Sequence, residues 1–253
     1  VKYLLAILLC LPLLAYGITA KSYVVLDQNG DVILEHNADT VRPIASITKL
    51  FTAARNVELP GDADIMVSAK DIQESRMRTT PLRAGHEYTR DKLLELALVS
   101  SDNAAAKALG RTAQVGIMLP PDTTYREPSG LDPANRSTAR QVAKFALSLL
   151  DTRVAELSVH PGVFVDSEYR KNTNPLIGKH GWTFLLTKTG FINEAGGCLV
   201  VVTKIKGEVR VIALLGSISV KQRWNDLAEL RQKLGDTDFA WPEAKTSSKR
   251  RHR

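Results

Sequence analysis

Two β-forming runs near the N-terminus, Ser22-Tyr-Val-Val-Leu-Asp and Val32-Ile-Leu-Glu-His, flank the dipeptide Asn29-Gly30. That arrangement predicts a hairpin, because the turn needs positive φ values that these two residues tolerate. A lone hairpin cannot bury a hydrophobic face in water, so further strands must join it. The candidates lie far along the chain, at residues 183 to 191, 198 to 205 and 209 to 215. A tight Lys206-Gly207-Glu208 turn joins the last two. Between the two β regions the pattern is helical. Residues 43 to 57 and 89 to 109 read as helices, the second carrying Leu93, Leu94, Leu96, Ala97 and Leu98. Ser137 or Thr138 caps a third, which runs through Val142, Phe145, Ala146 and Leu149. An amphipathic helix covers residues 220 to 234. The economical solution is an α+β fold, in which one antiparallel sheet built from both chain ends is flanked by helices and carries an inserted helical lobe.

The chain has 253 residues, 44% apolar and 24% charged, which suits one large domain with a real core and excludes wholesale disorder or a collagen-like repeat. The formal charge of +7 points superficially to nucleic acid. Yet Lys2 lies in a leader, and Lys245, Lys249, Arg250, Arg251 and Arg253 lie in the last ten residues. Without those six, 28 basic residues face 27 acidic ones, so no nucleic-acid partner is expected. Residues 3 to 20 carry no charge, and an apolar stretch behind Lys2 ends in Ala15, Gly17 and Ala20. This is the layout of a secretory signal peptide, with cleavage expected after Gly17 or Ala20. The expected organisation is a leader at residues 1–20, one folded domain at 21–236 and a flexible basic tail at 237–253. The tail offers weak contact with a membrane or another anionic polymer surface. Loss of the leader removes Cys10 and leaves only Cys198, so no intrachain disulfide forms in the exported, periplasmic chain.

The chemistry resides in three short strings. Ser46-Ile-Thr-Lys49 stands near a helix start, where Ser46 and Lys49, three residues apart, face the same way. A lysine amine takes a serine proton only when it is neutral, which requires burial or a neighbouring cation to lower a pKa normally near 10.4. Ser101-Asp102-Asn103 interrupts a Leu-rich helical stretch, and polar groups on a buried turn must be paired. Taken alone, it also reads as the solvent face of an amphipathic helix. Lys188-Thr189-Gly190 lies on a strand that begins at Trp182; Lys and Thr bind carboxylates, and Gly190 lets another backbone lie alongside. A hairpin strand with a glycine bulge is the blander interpretation. The ordered set is expected by chance on the order of once in a thousand such chains.

With these strings in place, the sequence resembles the low-molecular-mass penicillin-binding proteins, the serine D-alanyl-D-alanine carboxypeptidase and endopeptidase family. The resemblance covers residues 22 to 234. It includes Glu127-Pro-Ser-Gly-Leu131, Ser137-Thr-Ala-Arg140 and Lys188-Thr-Gly-Phe-Ile-Asn193. Ala195-Gly-Gly-Cys-Leu-Val200 looks most like the endopeptidase type, the penicillin-binding protein 7 kind. The resemblance implies a β-lactamase/transpeptidase-like fold. It makes Ser46 the acylated nucleophile, Lys49 its base and Ser101 a proton relay. Asn103 would hold the substrate amide and Lys49, and Lys188 and Thr189, beside Gly190, would grip a terminal carboxylate. The N–H groups of Ser46 and Phe191 would form the oxyanion hole. Peptidoglycan stem peptides are the implied substrates and β-lactams the implied covalent inhibitors. The expected chain is a monomer with no metal or cofactor. Two departures stand out: only the 23 residues from 104 to 126 separate the second string from Glu127, which implies a trimmed lobe over the cleft, and the C-terminus lacks the extra β-domain and anchor of the carboxypeptidase branch.

Other chemistries are weaker. A class A β-lactamase needs a carboxylate to activate a deacylating water; Glu127 precedes a Pro as required, but the string continues Ser-Gly-Leu without the expected Asn. A non-catalytic penicillin-recognising or wall-binding module on the same scaffold is the third reading. His36, His86, His160, His180 and His252 have no metal-ligand spacing, and Thr187 stands where a phosphate loop requires Gly before the Lys.

Overall fold

The computed structural model describes residues 17–59, 61–76, 80–113, 116 and 118–241. The element order is β1 Ser22–Leu26, β2 Val32–His36, β3 Arg42–Pro43, α1 Thr48–Val57, β4 Asp64–Met66, α2 Ala69–Glu74, β5 Glu87–Thr89, α3 Arg90–Val99 and α4 Asn103–Thr112. There follow β6 Arg136–Ser137, α5 Ala139–Ser148, α6 Arg153–Ser158, β7 Gly162–Val165, β8 Glu168–Lys171, β9 Thr183–Ile192, β10 Gly196–Ile205, β11 Glu208–Ser217 and α7 Gln222–Lys233.

The sheet is the one the sequence predicts. Its strand order is β2-β1-β11-β10-β9, so the N-terminal hairpin docks on β11, and β9 is left as an edge strand. All four pairings are antiparallel. At the hairpin only Gly30 takes a positive φ, +86°, and Asp27 closes the turn by accepting from the N–H groups of Asn29 and Asp31.

Period-two alternation divides the strands between two cores. Val24, Leu26, Val200, Val202, Val211 and Ala213 face the helical lobe, where they meet Phe51, Leu96, Leu109 and Leu157. Val25, Leu199, Val201, Ile212 and Leu214 face the other way, onto Trp224, Leu227 and Leu230 of α7. Complete burial of each Val, Leu, Ile or Phe among them contributes about 1.5–3 kcal/mol.

Four expectations need correction. The helix read from residue 43 starts at Thr48; Pro43 belongs to β3, and a 3₁₀ turn, Ala45–Ile47, carries Ser46. The helix read over 89 to 109 is two helices, α3 and α4, broken at Ser101, which holds φ +61°. The physical cause is Asp102, whose buried carboxylate accepts the N–H of Ala105 at 2.9 Å and caps α4. The folded region also passes residue 236: Trp182 donates to the Ala240 carbonyl at 2.8 Å, and the Phe239 ring stacks on the Arg231 guanidinium. Apolar contact thus claims the first residues assigned to the tail. At the other end Ala20 is buried, and Thr19 donates through both N and Oγ1 to the buried Asp226. Most of the leader (to residue 16), Cys10 and the basic tail from 242 lie outside the described residues, as do residues 114, 115 and 117 of the shortened 104–126 segment. Among the described residues no helix is long and apolar enough to cross a membrane.

Candidate active site

The 3₁₀ turn that carries Ser46 is held from both sides by glycines. Gly130, at φ +84°, lies so close to Ala45 that a Cβ there would overlap its carbonyl. Across the cleft a Cβ on Gly190 would come within 2.9 Å of the Ile44 oxygen and 3.1 Å of the Ser46 nitrogen. Between them Ala45 takes φ +48°, a left-handed conformation that costs a non-glycine residue about 1–2 kcal/mol. Strain of this kind persists only where the surroundings over-determine it, and it fixes the direction in which Ser46 presents its hydroxyl.

Lys49 follows one turn later on α1 and is fully buried. Its Nζ donates to Ser46 Oγ at 2.9 Å, to Asn103 Oδ1 at 2.7 Å and to the Ser129 carbonyl at 2.6 Å. Burial drives its pKa down to about 7, although the carboxylates of Asp102 and Glu127 oppose the shift. The amine is therefore neutral in a large fraction of molecules at neutral pH, as a base beside a serine requires.

The broken helix supplies the opposite wall. Ser101 Oγ accepts from Lys188 Nζ at 2.9 Å, and Asn103 Nδ2 donates to the Ser75 carbonyl at 2.9 Å, which orients its Oδ1 toward Lys49. Lys188 is buried on β9, and burial pushes its pKa well below the lysine range, with Lys49 and Arg223 adding like-charge repulsion. Thr189 Oγ1 donates to Thr173 Oγ1 at 2.8 Å. Phe191 follows with its ring exposed at the rim. Ser46, Lys49, Ser101, Asn103, Lys188, Thr189, Gly190 and Phe191 therefore line one cleft, though they come from three separated stretches of chain. The solvent-face reading of Ser101-Asp102-Asn103 does not hold, since Asp102 is buried.

Several residues here have roles that differ from, or were absent in, the sequence reading. Ser129 contributes a backbone carbonyl, which no side-chain pattern reveals. Glu127 organises its loop: it accepts from Ser129 N and Oγ, Leu131 N and Asn135 Nδ2, and pairs with Lys107 at 3.1 Å. Burial alone would raise its pKa, but the Ser129 hydrogen bonds and Lys107 outweigh it and hold the group at about 2. Arg223 of α7 reaches through the sheet edge to donate to the Gly190 carbonyl at 2.9 Å. Its only trace in the sequence is a cation on the apolar side of an amphipathic helix. Among the described residues no cluster of side chains suits a metal ion.

Comparison with known proteins identifies the family and the fold. The sequence profile of the D-alanyl-D-alanine carboxypeptidase family of serine peptidases matches residues 13–217. The chain belongs to that family. It is 35% identical over 238 residues to a D-alanyl-D-alanine endopeptidase of Pseudomonas aeruginosa, an alignment covering 85% of this chain and 77% of that protein. A D-alanyl-D-alanine endopeptidase of Escherichia coli is 31% identical, with 85% and 76% covered. Among solved structures, a Streptomyces DD-transpeptidase superposes with a TM-score of 0.76 at 22% identity, covering 85% of this chain and 97% of that one. Penicillin-binding protein D2 of Listeria monocytogenes, in its ampicillin-bound form, gives 0.69 at 27% identity, with 85% and 96% covered. The fold is therefore that of the DD-transpeptidases and penicillin-binding proteins.

Proposed function

We propose that this member of the family is a DD-endopeptidase that cuts D-alanine cross-links in peptidoglycan through an acyl-enzyme on Ser46. The observation that carries the reading is Lys49: a fully buried amine, poised near neutrality, in hydrogen-bond contact with a serine hydroxyl. Neutral Lys49 Nζ takes the Ser46 proton as Oγ forms a bond to the carbonyl carbon of the penultimate D-alanine. The developing oxyanion faces the N–H groups of Ser46 and Phe191, donors that cost no reorganisation at that moment. The C–N bond then breaks, and the leaving amine receives a proton relayed through Ser101 from the Lys49 ammonium. Water attacks the ester with Lys49 again as base, which frees the acid and restores Ser46. Lys188 and Thr189 hold the carboxylate of the leaving side.

The endopeptidase assignment rests on the two curated relatives and on the Gly-Gly-Cys-Leu-Val run. A β-lactamase reading loses support because the lone pairs of Glu127 are engaged by its own loop and by Lys107. An uncharged apolar leader and a wall substrate fit a periplasmic enzyme. Cleavage after Gly17, not Ala20, retains the Thr19–Asp226 contact in the exported chain. The decisive experiment digests purified cross-linked and pentapeptide muropeptides with wild type and Ser46→Ala. Loss of dimers with wild type, absent in the variant, is expected; consumption of monomers alone would make the enzyme a carboxypeptidase.

A further inference from the structure

Past Gly190, β9 runs to Ile192 and turns into β10. A pocket of about 280 Å³ opens at that turn, walled by Lys21, Arg42, Pro43, Asn193, Glu194 and Gly196. Two of its wall residues, Arg42 and Pro43, lead directly into the strained turn of Ser46, and the Cys198 thiol reaches the Pro43 carbonyl at 3.9 Å. Gly196 and Gly197 let β10 press on the carbonyls of Ser217 and Ser219, which closes the floor.

The charge of this pocket is unbalanced. Arg42 Nε donates to Ser22 Oγ at 2.8 Å, which orients the guanidinium and leaves its terminal nitrogens without a protein acceptor among the described residues. Neither Arg42 nor Lys21 forms an ion pair among those residues, and Glu194 is the single acid in the wall. Two cations against one carboxylate, around an open volume, suit an anionic guest. Arginine in particular presents a planar fork that matches a carboxylate.

The order of groups along β9 indicates which part of a substrate arrives there. Lys188 contacts Ser101, Gly190 abuts Ser46 N, and the pocket follows at the strand end. On the function proposed above, on which this inference rests, the leaving-side carboxylate lies at Lys188 and Thr189, and the scissile carbonyl lies at Ser46. The rest of the acyl donor therefore runs antiparallel to β9 toward the turn. At about 3.3 Å per extended residue, the residue before the acylated D-alanine is the first that can extend a side chain into the pocket. We infer that Lys21 and Arg42 form an anionic subsite that binds a free carboxylate on that residue of the donor peptide.

The test uses two synthetic acyl donors ending in D-alanyl thioglycolate, identical except that the preceding residue ends in a carboxylate or a carboxamide. Ser46 displaces the thiolate from the thioester, and the released thiol is read by colour. Rates are normalised to the fraction of enzyme that takes up a fluorescent penicillin. Wild type is expected to favour the carboxylate donor about tenfold in kcat/KM, carried by KM, as fits a partly exposed charge-assisted contact. Arg42→Gln with Lys21→Gln should bring the ratio close to one, whereas Arg42→Lys should retain most of it. Lys21→Gln alone, at an exposed side chain, should lower the ratio even if Arg42 variants fold poorly. A wild-type ratio near one, or an undiminished ratio in both Lys21→Gln and the double variant, would overturn the subsite. Failure of wild type to take up penicillin would instead overturn the acyl-enzyme reading beneath it.

Discussion

Lys188 Nζ lies 2.9 Å from Ser101 Oγ, a contact between residues 87 positions apart that closes the cleft between the edge strand and the broken helix. Ser101 meets Lys188 from a backbone at φ +61°, where a non-glycine residue is strained. Ser101→Ala retains that backbone and removes only the hydroxyl. Acylation by penicillin is expected to slow by about 10²–10³-fold, within the range for loss of a proton-transfer group, with a melting temperature close to that of wild type. A rate within twofold of wild type would remove Ser101 from the proton path.

The pH dependence follows from Lys49. Because the base must be neutral, the acylation rate should climb through a pKa of about 7 and level off above it. Stability should move in the same direction. The folded pKa is depressed from 10.5, so between about 7 and 10.5 the unfolded chain binds more protons than the folded one, and this group's contribution to stability rises with pH across that window. Stopped-flow labelling and urea melts at stepped pH values test both. A flat rate profile from pH 6 to 9 would contradict the neutral-amine base.

Glu127 carries the same sign in a lower pH window. Held at about 2 against an ordinary 4.5, it contributes stability that is complete above the unfolded value and lost as pH falls from 4.5 toward 2. The span corresponds to on the order of 3 kcal/mol. Glu127→Gln should flatten the acid limb of a stability–pH curve. It should also slow acylation, because the loop that presents the Ser129 carbonyl to Lys49 loses its tether. Selective loss of penicillin deacylation with acylation intact would point instead to a water-activating carboxylate.

Gly130→Ala should be more damaging than Gly190→Ala. The first combines a positive φ with a clash into the backbone of Ala45, and about 2–4 kcal/mol of stability is expected to be lost with most labelling. The second meets backbone atoms near 3 Å and should reduce acylation more than melting temperature, since it crowds the Ser46 N–H. Thermal melts beside penicillin labelling distinguish the two, and equal melting temperatures would contradict the close packing at Gly130.

Local signals determined much of this protein. The β-forming apolar runs of β1, β10 and β11, the Asn-Gly turn and the Thr138 cap specify their elements through short-range sterics and hydrogen bonds, so the sheet and several helices were readable in order. The three strings named the side chains of the cleft for the same reason, since each is a compact set of groups whose chemistry is intrinsic. The tertiary structure alone decided how they become reactive. Lys49 is an ordinary lysine until Asn103 and the Ser129 carbonyl, 54 and 80 residues away, enclose it. The break at Ser101, the reach of Arg223 to Gly190 and the pocket at Lys21 and Arg42 also depend on segments distant in the chain. Desolvation and close backbone approach are properties of the assembled interior, and no local run of residues contains them.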